Sequence, residues 1–233
     1  MRILDLGVGC GRTSPVLASG AASYVGVDYS PEMIEICRSR FASFEFRVAD
    51  AANLSEFPGS SFDLVVFSFN GLDYLFPNQT RQSCIREVYR LLEVGGLFIF
   101  SSHNARCVFP RADKDTARNS ADYIAAKLFP KRSQAQTICS SLASIFALLG
   151  LRLSLAYGCI LHKLGPSVFW HGDGFFFDPV HGGLHTRATT PRRVMAEMES
   201  FKFDSIDLVS SEFPEETSTL TTGWYYYVFR KRP

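Results

Sequence analysis

A glycine-rich turn near the start of the chain has the spacing of a ligand-binding site. Gly7, Gly9 and Gly11 follow a short apolar run that contains one carboxylate, Asp5. Glycines so spaced let a strand turn sharply into a helix and let the backbone approach a ligand closely. A dinucleotide fingerprint needs a glycine at the next position, which is Arg12. A carboxylate within the strand suits a ligand with a cationic amino-acid portion, although a plain strand-to-helix turn also explains the glycines.

Two further carboxylates end the next two predicted strands. Asp28 lies 19 residues after Gly9, and Asp50 closes the strand after that. A carboxylate at the first position can accept hydrogen bonds from both hydroxyls of a ribose, and one at the second can accept from an exocyclic adenine amine. Asp28 by itself could equally serve the start of the following helix. Three acidic residues at the carboxyl ends of three successive strands favour a ligand-binding edge.

Apolar runs and helical patterns alternate along the first hundred residues and must position these side chains. Strands are predicted at 3–6, 24–27, 45–48, 62–67 and 97–100, and helices at 15–18, 31–41 and 81–92. We expect Gly95 and Gly96 to end the last of these helices. A further helix is predicted from Pro191, followed by an antiparallel pair of strands at 205–213 and 224–230. The alternation indicates an α/β fold with right-handed crossovers and a mostly parallel sheet.

Residues 105–178 interrupt this alternation and carry nine basic and five acidic residues. We therefore divide the chain into a core at 1–104, a substrate-covering insertion or lid at 105–178, and a completion of the core sheet at 179–233. The apolar stretch from Ile138 to Leu161 contains Arg152, which favours a buried element over a membrane span. The aromatic cluster at 169–177 is either a wall for a substrate or a seam against the sheet, and we favour the seam.

The composition narrows the class of protein. A hydrophobic fraction of 46% and a net charge of +1 exclude a disordered chain and give no sign of a nucleic-acid partner. The six cysteines form no C-x-x-C pair and no leader pattern precedes them, so we predict reduced thiols in a cytoplasmic protein. We predict no metal site, because two glycines separate His181 from His185 and argue against a helix that presents both.

Five segments, at 3–11, 25–33, 48–51, 62–67 and 91–97, together resemble the class I methyltransferases that use S-adenosylmethionine. The resemblance implies a Rossmann-like, doubly wound sheet of seven strands that binds S-adenosylmethionine and releases S-adenosylhomocysteine. It implies that Asp5 and the turn of Gly7, Gly9, Cys10 and Gly11 hold the methionine end of the cofactor. It implies that Asp28 binds the ribose, and that the adenine is bound by Tyr29, Met33, Asp50 and Ala51. The backbone near Ser68 and Phe69 is implied to contact the amino group. Because the family usually has helices before the first strand, we expect a truncated start or a covering role for the insertion.

Candidates for contact with a methyl acceptor follow the later strands. They are Asn70, Asp73 and Tyr74 after the fourth strand, Asn104 after the fifth, and His181 and His185 before the helix at Pro191. His103 is the first choice for a general base, because the end of the fifth strand adjoins the methyl position in this family's fold. We predict in-line transfer of a methyl group to an oxygen or nitrogen of a small metabolite. The alternatives are a protein or RNA acceptor, a non-catalytic protein that binds the cofactor, and a nicotinamide oxidoreductase, which Arg12 disfavours.

Overall fold

The computed structural model describes residues 1–107, 168, 171–178, 184–211 and 218–233. The strands are β1 Arg2–Leu6, β2 Ser23–Asp28, β3 Glu45–Val48, β4 Phe62–Phe67, β5 Leu92–Asn104, β6 Asp173–Asp178, β7 Leu184–Thr189, β8 Phe203–Ser210 and β9 Trp224–Lys231. The helices are α1 Ser14–Ser19, α2 Pro31–Arg40, α3 Asn78–Leu91 and α4 Pro191–Ser200, with a short 3-10 helix at Gly71–Tyr74. The apolar stretch 138–161 and most of the predicted lid lie outside the described residues.

The predicted seven-stranded sheet is confirmed. Strands β3, β2, β1, β4 and β5 lie side by side in that order and are parallel, whereas β9 pairs antiparallel with β5 and β8 antiparallel with β9. Strand order reverses between β1 and β4, so the carboxyl ends of these two strands border the crevice where open α/β sheets bind ligands. The glycine turn and Ser68 follow those two ends directly.

Local sequence signals explain the helices that flank the sheet. Ser30 caps α2, since its hydroxyl oxygen accepts a hydrogen bond from the Met33 backbone N–H (3.2 Å), and Pro31 starts the helix. Helix α3 buries one face, which carries Cys84, Ile85, Val88 and Leu91, as its 3.6-residue period predicts. Burying this face against the sheet is what holds the helix in place, since most helical stability comes from packing.

The prediction that Gly95 and Gly96 end the third helix is wrong. Helix α3 ends at Leu91, and β5 begins at the next residue, so both glycines lie within the strand. The pairing with β4 shifts register here, and Gly95 adopts a φ of +82°. A residue in the left-handed region favours glycine, so the pair forms an irregularity in the strand rather than a helix terminus.

Two strands were not predicted and extend the sheet to nine strands within the described part of the chain. Strands β6 and β7 form an antiparallel hairpin, and β7 pairs parallel with β5 only at its last residues, where His103 faces Ala188. The hairpin thus joins the sheet beyond the end of β4, at the carboxyl edge. Strand β6 belongs to the predicted lid and β7 to the predicted C-terminal segment, so one sheet includes strands from both sides of the predicted boundary at residue 178. The extent of the lid at 105–178 stays a prediction.

An ion-pair network attaches this hairpin to the helices. Glu197 of α4 accepts hydrogen bonds from Arg187 of β7 (2.8 Å) and from the fully buried Arg81 of α3. Arg187 also donates to Asp173 of β6 (3.0 Å).

Among the residues that the structure describes, no helix has the length and apolar character needed to cross a membrane.

Candidate active site

In the glycine turn after β1, every second residue from Gly7 to Gly11 adopts a left-handed backbone conformation. Gly7, Gly9 and Gly11 have φ values of +62°, +54° and +83°. A Cβ on Gly7 would come within 2.7 Å of the Phe67 ring, and one on Gly11 within 2.6 Å of the Phe41 ring. A Cβ on Gly9 would meet nothing within 4 Å. Packing therefore requires the outer two glycines, whereas the middle one borders open space that a ligand could approach.

Asp5 lies buried beneath this turn and is 1% exposed. Its Oδ2 accepts hydrogen bonds from the Thr13 hydroxyl (2.6 Å) and the Tyr24 hydroxyl (2.9 Å). Burial raises the pKa of Asp5 from 3.8 to about 6, and the two hydrogen bonds lower it in part. The predicted contact between Asp5 and the methionine end stays a prediction, because its observed partners are these two hydroxyls.

Asp28 joins the end of β2 to the glycine turn. Its Oδ2 accepts from the backbone N–H of Gly9 (2.8 Å), and its Oδ1 accepts from the backbone N–H of Ser30 (3.0 Å). A carboxylate has about four acceptor sites, so these two bonds leave one on each oxygen. The residue therefore shapes the turn and also keeps the two acceptor positions that a pair of vicinal hydroxyls would need.

The adenine-side candidates lie along the same edge with exposed side chains. Tyr29 is 80% exposed and Met33 38%. Asp50 is exposed at the end of β3, and its Oδ1 accepts from the backbone N–H of Ala52 (2.8 Å), which leaves Oδ2 available. Ala51 is half-buried beside it. These positions are open enough to admit a planar ring system.

The other cofactor candidates flank the crevice between β1 and β4. Cys10 is exposed within the glycine turn, and its carbonyl accepts from the Arg40 guanidinium. Phe69, after β4, adopts a φ of +53°, and the Arg12 guanidinium lies 4.5 Å from the centre of its ring. Ser68, which directly precedes Phe69, is half-buried. Arg12 thus bridges the two sides of the crevice, a contact that a glycine at its position could not make.

A buried carboxylate orients His103, which the sequence selected as general base. Asp73 is fully buried, and its Oδ2 accepts from the backbone N–H (2.7 Å) and from Nδ1 of His103 (3.0 Å). Its Oδ1 accepts from the Ser102 hydroxyl (2.9 Å). A carboxylate at Nδ1 keeps the proton on that nitrogen and leaves Nε2 as the acceptor. The side chain of His103 is 20% exposed, so the ring is anchored by Asp73 and remains partly open to solvent.

Asn70 completes this group from the opposite side of the ring. Its Nδ2 lies 3.2 Å from Nε2 of His103, and its backbone N–H donates to the Ser101 hydroxyl (2.7 Å). The residue has a left-handed φ of +59°, and its buried Oδ1 has no hydrogen-bond partner in the described part of the chain. A strained residue with an unpaired polar atom beside an oriented histidine is typical of a functional site.

Of the remaining candidates for contact with the acceptor, Tyr74 and His185 contact aromatic rings, whereas Asn104 is buried within the fold. Tyr74 contacts His103 edge to face, with ring centres 6.2 Å apart. His185 stacks on Phe76 at 4.6 Å, close to the same edge. Asn104 is fully buried, and its Nδ2 donates to the carbonyls of Thr219 and Thr222, so these two hydrogen bonds are structural. His181 lies outside the described residues.

The hairpin also brings aromatic side chains to this site that sequence reasoning did not assign to it. Phe176 of β6 meets the His103 ring edge to face at 6.3 Å, and Phe175 meets Phe76 in the same way at 5.1 Å. These contacts agree with an aromatic cluster packed against the core, although they also wall the site. The run of three phenylalanines can be seen in the sequence, but the sequence does not show that these rings contact residues 70 to 100 positions earlier in the chain.

Residues 3–96 match the family model for a methyltransferase domain. A demethylmenaquinone methyltransferase of Clavibacter sepedonicus is 38% identical over 101 residues, which is 42% of this chain and 39% of that protein. An arsenite methyltransferase of Aquipseudomonas alcaligenes is 36% identical over 115 residues, covering 43% of this chain and 32% of that protein. The matches thus span about two fifths or less of these relatives' length.

Solved structures agree with the fold over nearly the whole chain. A methyltransferase dependent on S-adenosylmethionine from Methanosarcina mazei has a TM-score of 0.62 at 22% identity, with 99% of this chain and 92% of that chain covered. A putative methyltransferase of the same dependence from Listeria monocytogenes has a TM-score of 0.62 at 16% identity, with coverage of 100% and 91%. Residues 3–96 therefore match the methyltransferase domain family, and the chain has the fold of methyltransferases that depend on S-adenosylmethionine.

Proposed function

We propose that this protein binds S-adenosylmethionine at the glycine turn and transfers its methyl group to an oxygen or nitrogen of a small molecule. The observation that carries the proposal is the row of three carboxylates, Asp5, Asp28 and Asp50, at the carboxyl ends of adjacent strands β1, β2 and β3. The named relatives support a small acceptor, since they include methyltransferases for demethylmenaquinone and arsenite.

The residues present fit this cofactor. Gly9 leaves the turn open to a ligand, Asp28 retains one acceptor site on each oxygen for the ribose hydroxyls, and Asp50 retains Oδ2 for the adenine amine. Tyr29 and Met33 have exposed side chains that would flank the adenine. When bound, the cofactor supplies a methyl group on a sulfonium, which a nucleophile displaces in line. The protein's contribution is positioning and exclusion of water.

His103 is proposed to take the proton that an oxygen or nitrogen acceptor loses. Asp73 holds the Nδ1–H, so the Nε2 lone pair is the basic site, and an acceptor that gives its proton to Nε2 would replace the Asn70 Nδ2 that lies 3.2 Å from it. Asp73 acts as a positioning residue, since its full burial keeps it from the acceptor. The β6–β7 hairpin, with Phe176 against the ring, shields this side of the site from water.

Calorimetry with S-adenosylhomocysteine tests the cofactor assignment. We expect a Kd on the order of 1 to 10 μM for the unaltered chain and at least a tenfold weakening for Asp28→Ala. Glu35→Ala is the matched control, because it removes an exposed carboxylate from α2 and should leave the Kd unchanged. Tight binding of NADH in place of S-adenosylhomocysteine would refute the assignment.

The role of His103 requires a separate measurement. His103→Gln should lower the methyl-transfer rate by about 10² to 10⁴-fold and leave the Kd for S-adenosylhomocysteine unchanged. Asp73→Asn should lower kcat with little change in KM, and ¹⁵N NMR of the ring should show the proton moving from Nδ1 to Nε2. A rate within about threefold of the original for His103→Gln would remove this residue from the role of base.

A further inference from the structure

A cavity near the carboxyl end of β5 is lined mainly by basic side chains. It has a volume of about 370 Å³ and is lined by Arg106, His171, Thr190, Arg192, Arg193 and Ala196. These residues come from the end of β5, the start of β6 and the junction between β7 and α4. None of the described residues that line it is acidic. Such a volume is within the range of small-molecule sites.

The cavity is adjacent to His103 along the sheet. His103 pairs with Ala188 and Asn104 pairs with Thr189, and the Ala105 backbone N–H donates to the Thr189 carbonyl (2.9 Å). Arg106 follows directly, three residues beyond His103. Ala105 and Arg106 form a turn after the end of β5, so the cavity lining begins three residues along the chain from the proposed base.

The charge in the cavity is not neutralised by the nearest described carboxylate. Asp173 lies 3.7 Å from Nη1 of Arg193, but it also accepts from Nε of Arg187 at 3.0 Å, so it is shared between two guanidinium groups. Arg106 and Arg192 are exposed and have no ion pair in the described part of the chain. Like charges grouped in one cavity repel each other, and a bound anion would relieve that repulsion.

The start of α4 adds to this positive potential. The ten-residue helix begins at Pro191, and Thr190 at the N-cap position makes no side-chain hydrogen bond to the first turn. Pro191 has no N–H and the Arg193 N–H donates to the Thr190 carbonyl (2.9 Å), so the backbone N–H of Arg192 and the helix dipole are what this terminus offers an anion. Arg106, which follows β5, and Arg192 and Arg193, in the first turn of α4, therefore line the same cavity as this helix end.

We propose that this cavity binds an oxyanion group, carboxylate or phosphate, carried by the methyl acceptor. The inference rests on the proposed function for its link to methyl transfer, but the anion site itself does not depend on it. Guanidinium groups suit both oxyanions, because their planar donors can form paired hydrogen bonds to two oxygens. The acceptor would then be a small acid, held by its charged end in the cavity with its nucleophile towards His103.

Calorimetric titration of the full chain with inorganic phosphate and with citrate, in chloride buffer of matched ionic strength, tests the site. We expect saturable binding of at least one, with a Kd on the order of 1 mM. Arg106→Gln and Arg192→Gln should each weaken binding at least about tenfold, the effect of losing one charge-assisted hydrogen bond. Arg230→Gln is the matched control, because it removes an exposed guanidinium of β9 far along the chain from the cavity.

Each outcome decides the proposal. Binding of phosphate alone identifies a phosphorylated acceptor, and binding of citrate alone identifies a carboxylic acid. No binding beyond that of chloride, or an equal loss in Arg230→Gln, overturns the site. S-adenosylhomocysteine binding, measured in the same arginine variants, should be unchanged. If the unaltered chain does not bind S-adenosylhomocysteine, the proposed function is refuted independently of the anion site.

A second experiment addresses the acceptor. A metabolite extract is divided on an anion-exchange resin, and each fraction is incubated with the protein and S-adenosylmethionine carrying a radioactive methyl group. We expect the label in the retained, anionic fraction, with at least a tenfold reduction for Arg192→Gln. Label confined to the unretained fraction would show that the acceptor carries no such group and would overturn the inference.

Discussion

Replacing Asp5 by asparagine should change the pH dependence of stability in a defined direction. The substitution keeps the shape of the side chain and an oxygen that can accept from Thr13 and Tyr24, but it removes the ionisable group. In the folded protein the pKa of Asp5 is raised to about 6, against 3.8 when it is unperturbed. Between these values the folded state binds more protons than the unfolded state, so Asp5 lowers stability progressively as pH rises.

The size of the effect follows from that shift. Two pKa units correspond to about 3 kcal/mol at about 1.4 kcal/mol per unit, which is an order-of-magnitude figure for a side chain only 1% exposed. The penalty is absent below pH 3.8 and is complete above about pH 6. The stability of Asp5→Asn relative to the unaltered protein should therefore increase by up to about 3 kcal/mol between pH 4 and pH 7.

Urea unfolding at half-unit pH intervals, followed by circular dichroism, measures this difference. Asp63→Asn is the control with the opposite sign, because the Arg2 guanidinium lowers the pKa of Asp63 and its contribution is lost as pH falls. A difference between Asp5→Asn and the unaltered protein that stays constant from pH 4 to pH 7 would refute the reasoning. A difference that runs in the direction of Asp63→Asn would do the same and would indicate a cationic partner for Asp5.

Three other expectations concern packing and access. Glu197→Ala should lower the free energy of unfolding by about 3–5 kcal/mol in urea titrations, because it leaves the buried Arg81 without its carboxylate, and a loss under about 1 kcal/mol would contradict this. Gly7→Ala should destabilise the fold markedly more than Gly9→Ala, because the methyl group added at Gly9 meets only open space. Gly9→Ala should instead weaken S-adenosylhomocysteine binding. Equal Tm values for the two variants would contradict the difference in stability. Among the described cysteines only Cys10 is exposed, so a thiol reagent should modify it first, and S-adenosylhomocysteine should slow that reaction.

Local patterns were sufficient for most of the core. Alternating apolar runs and the Ser30–Pro31 cap predicted strands β1 to β4 and helix α2 within one or two residues, because each depends on neighbours in sequence. The end of α3 was predicted within one residue, but the start of β5 was placed at 97 instead of 92, because two glycines resemble a helix stop, whereas here they accommodate a shift in strand pairing. That shift is set by β4, about 30 residues away, and leaves no local signature.

Some site residues were identified individually from sequence, but their roles were not. Asp73 and His103 were both candidates, yet only the pairing of β4 with β5 brings the buried carboxylate to Nδ1 of the ring, which is why we propose Asp73 as a positioning residue rather than a substrate contact. Asn104, likewise a candidate, is used inside the fold. Burial and hydrogen-bond partners of a polar side chain depend on the whole chain, so spacing alone could not distinguish these cases.

The sequence by itself determined the glycine turn and the acidic residues that end three strands, because a strand-to-helix turn needs glycine at particular φ values and a parallel sheet aligns its carboxyl ends on one edge. Only the tertiary structure decided what faces that edge. The β6–β7 hairpin, whose buried strand β7 contains Thr186, Arg187 and Thr189, shows no apolar alternation that would predict a strand. Its position depends on a short pairing with β5 and on ion pairs to α4, and these long-range contacts created both the wall beside His103 and the arginine-lined cavity.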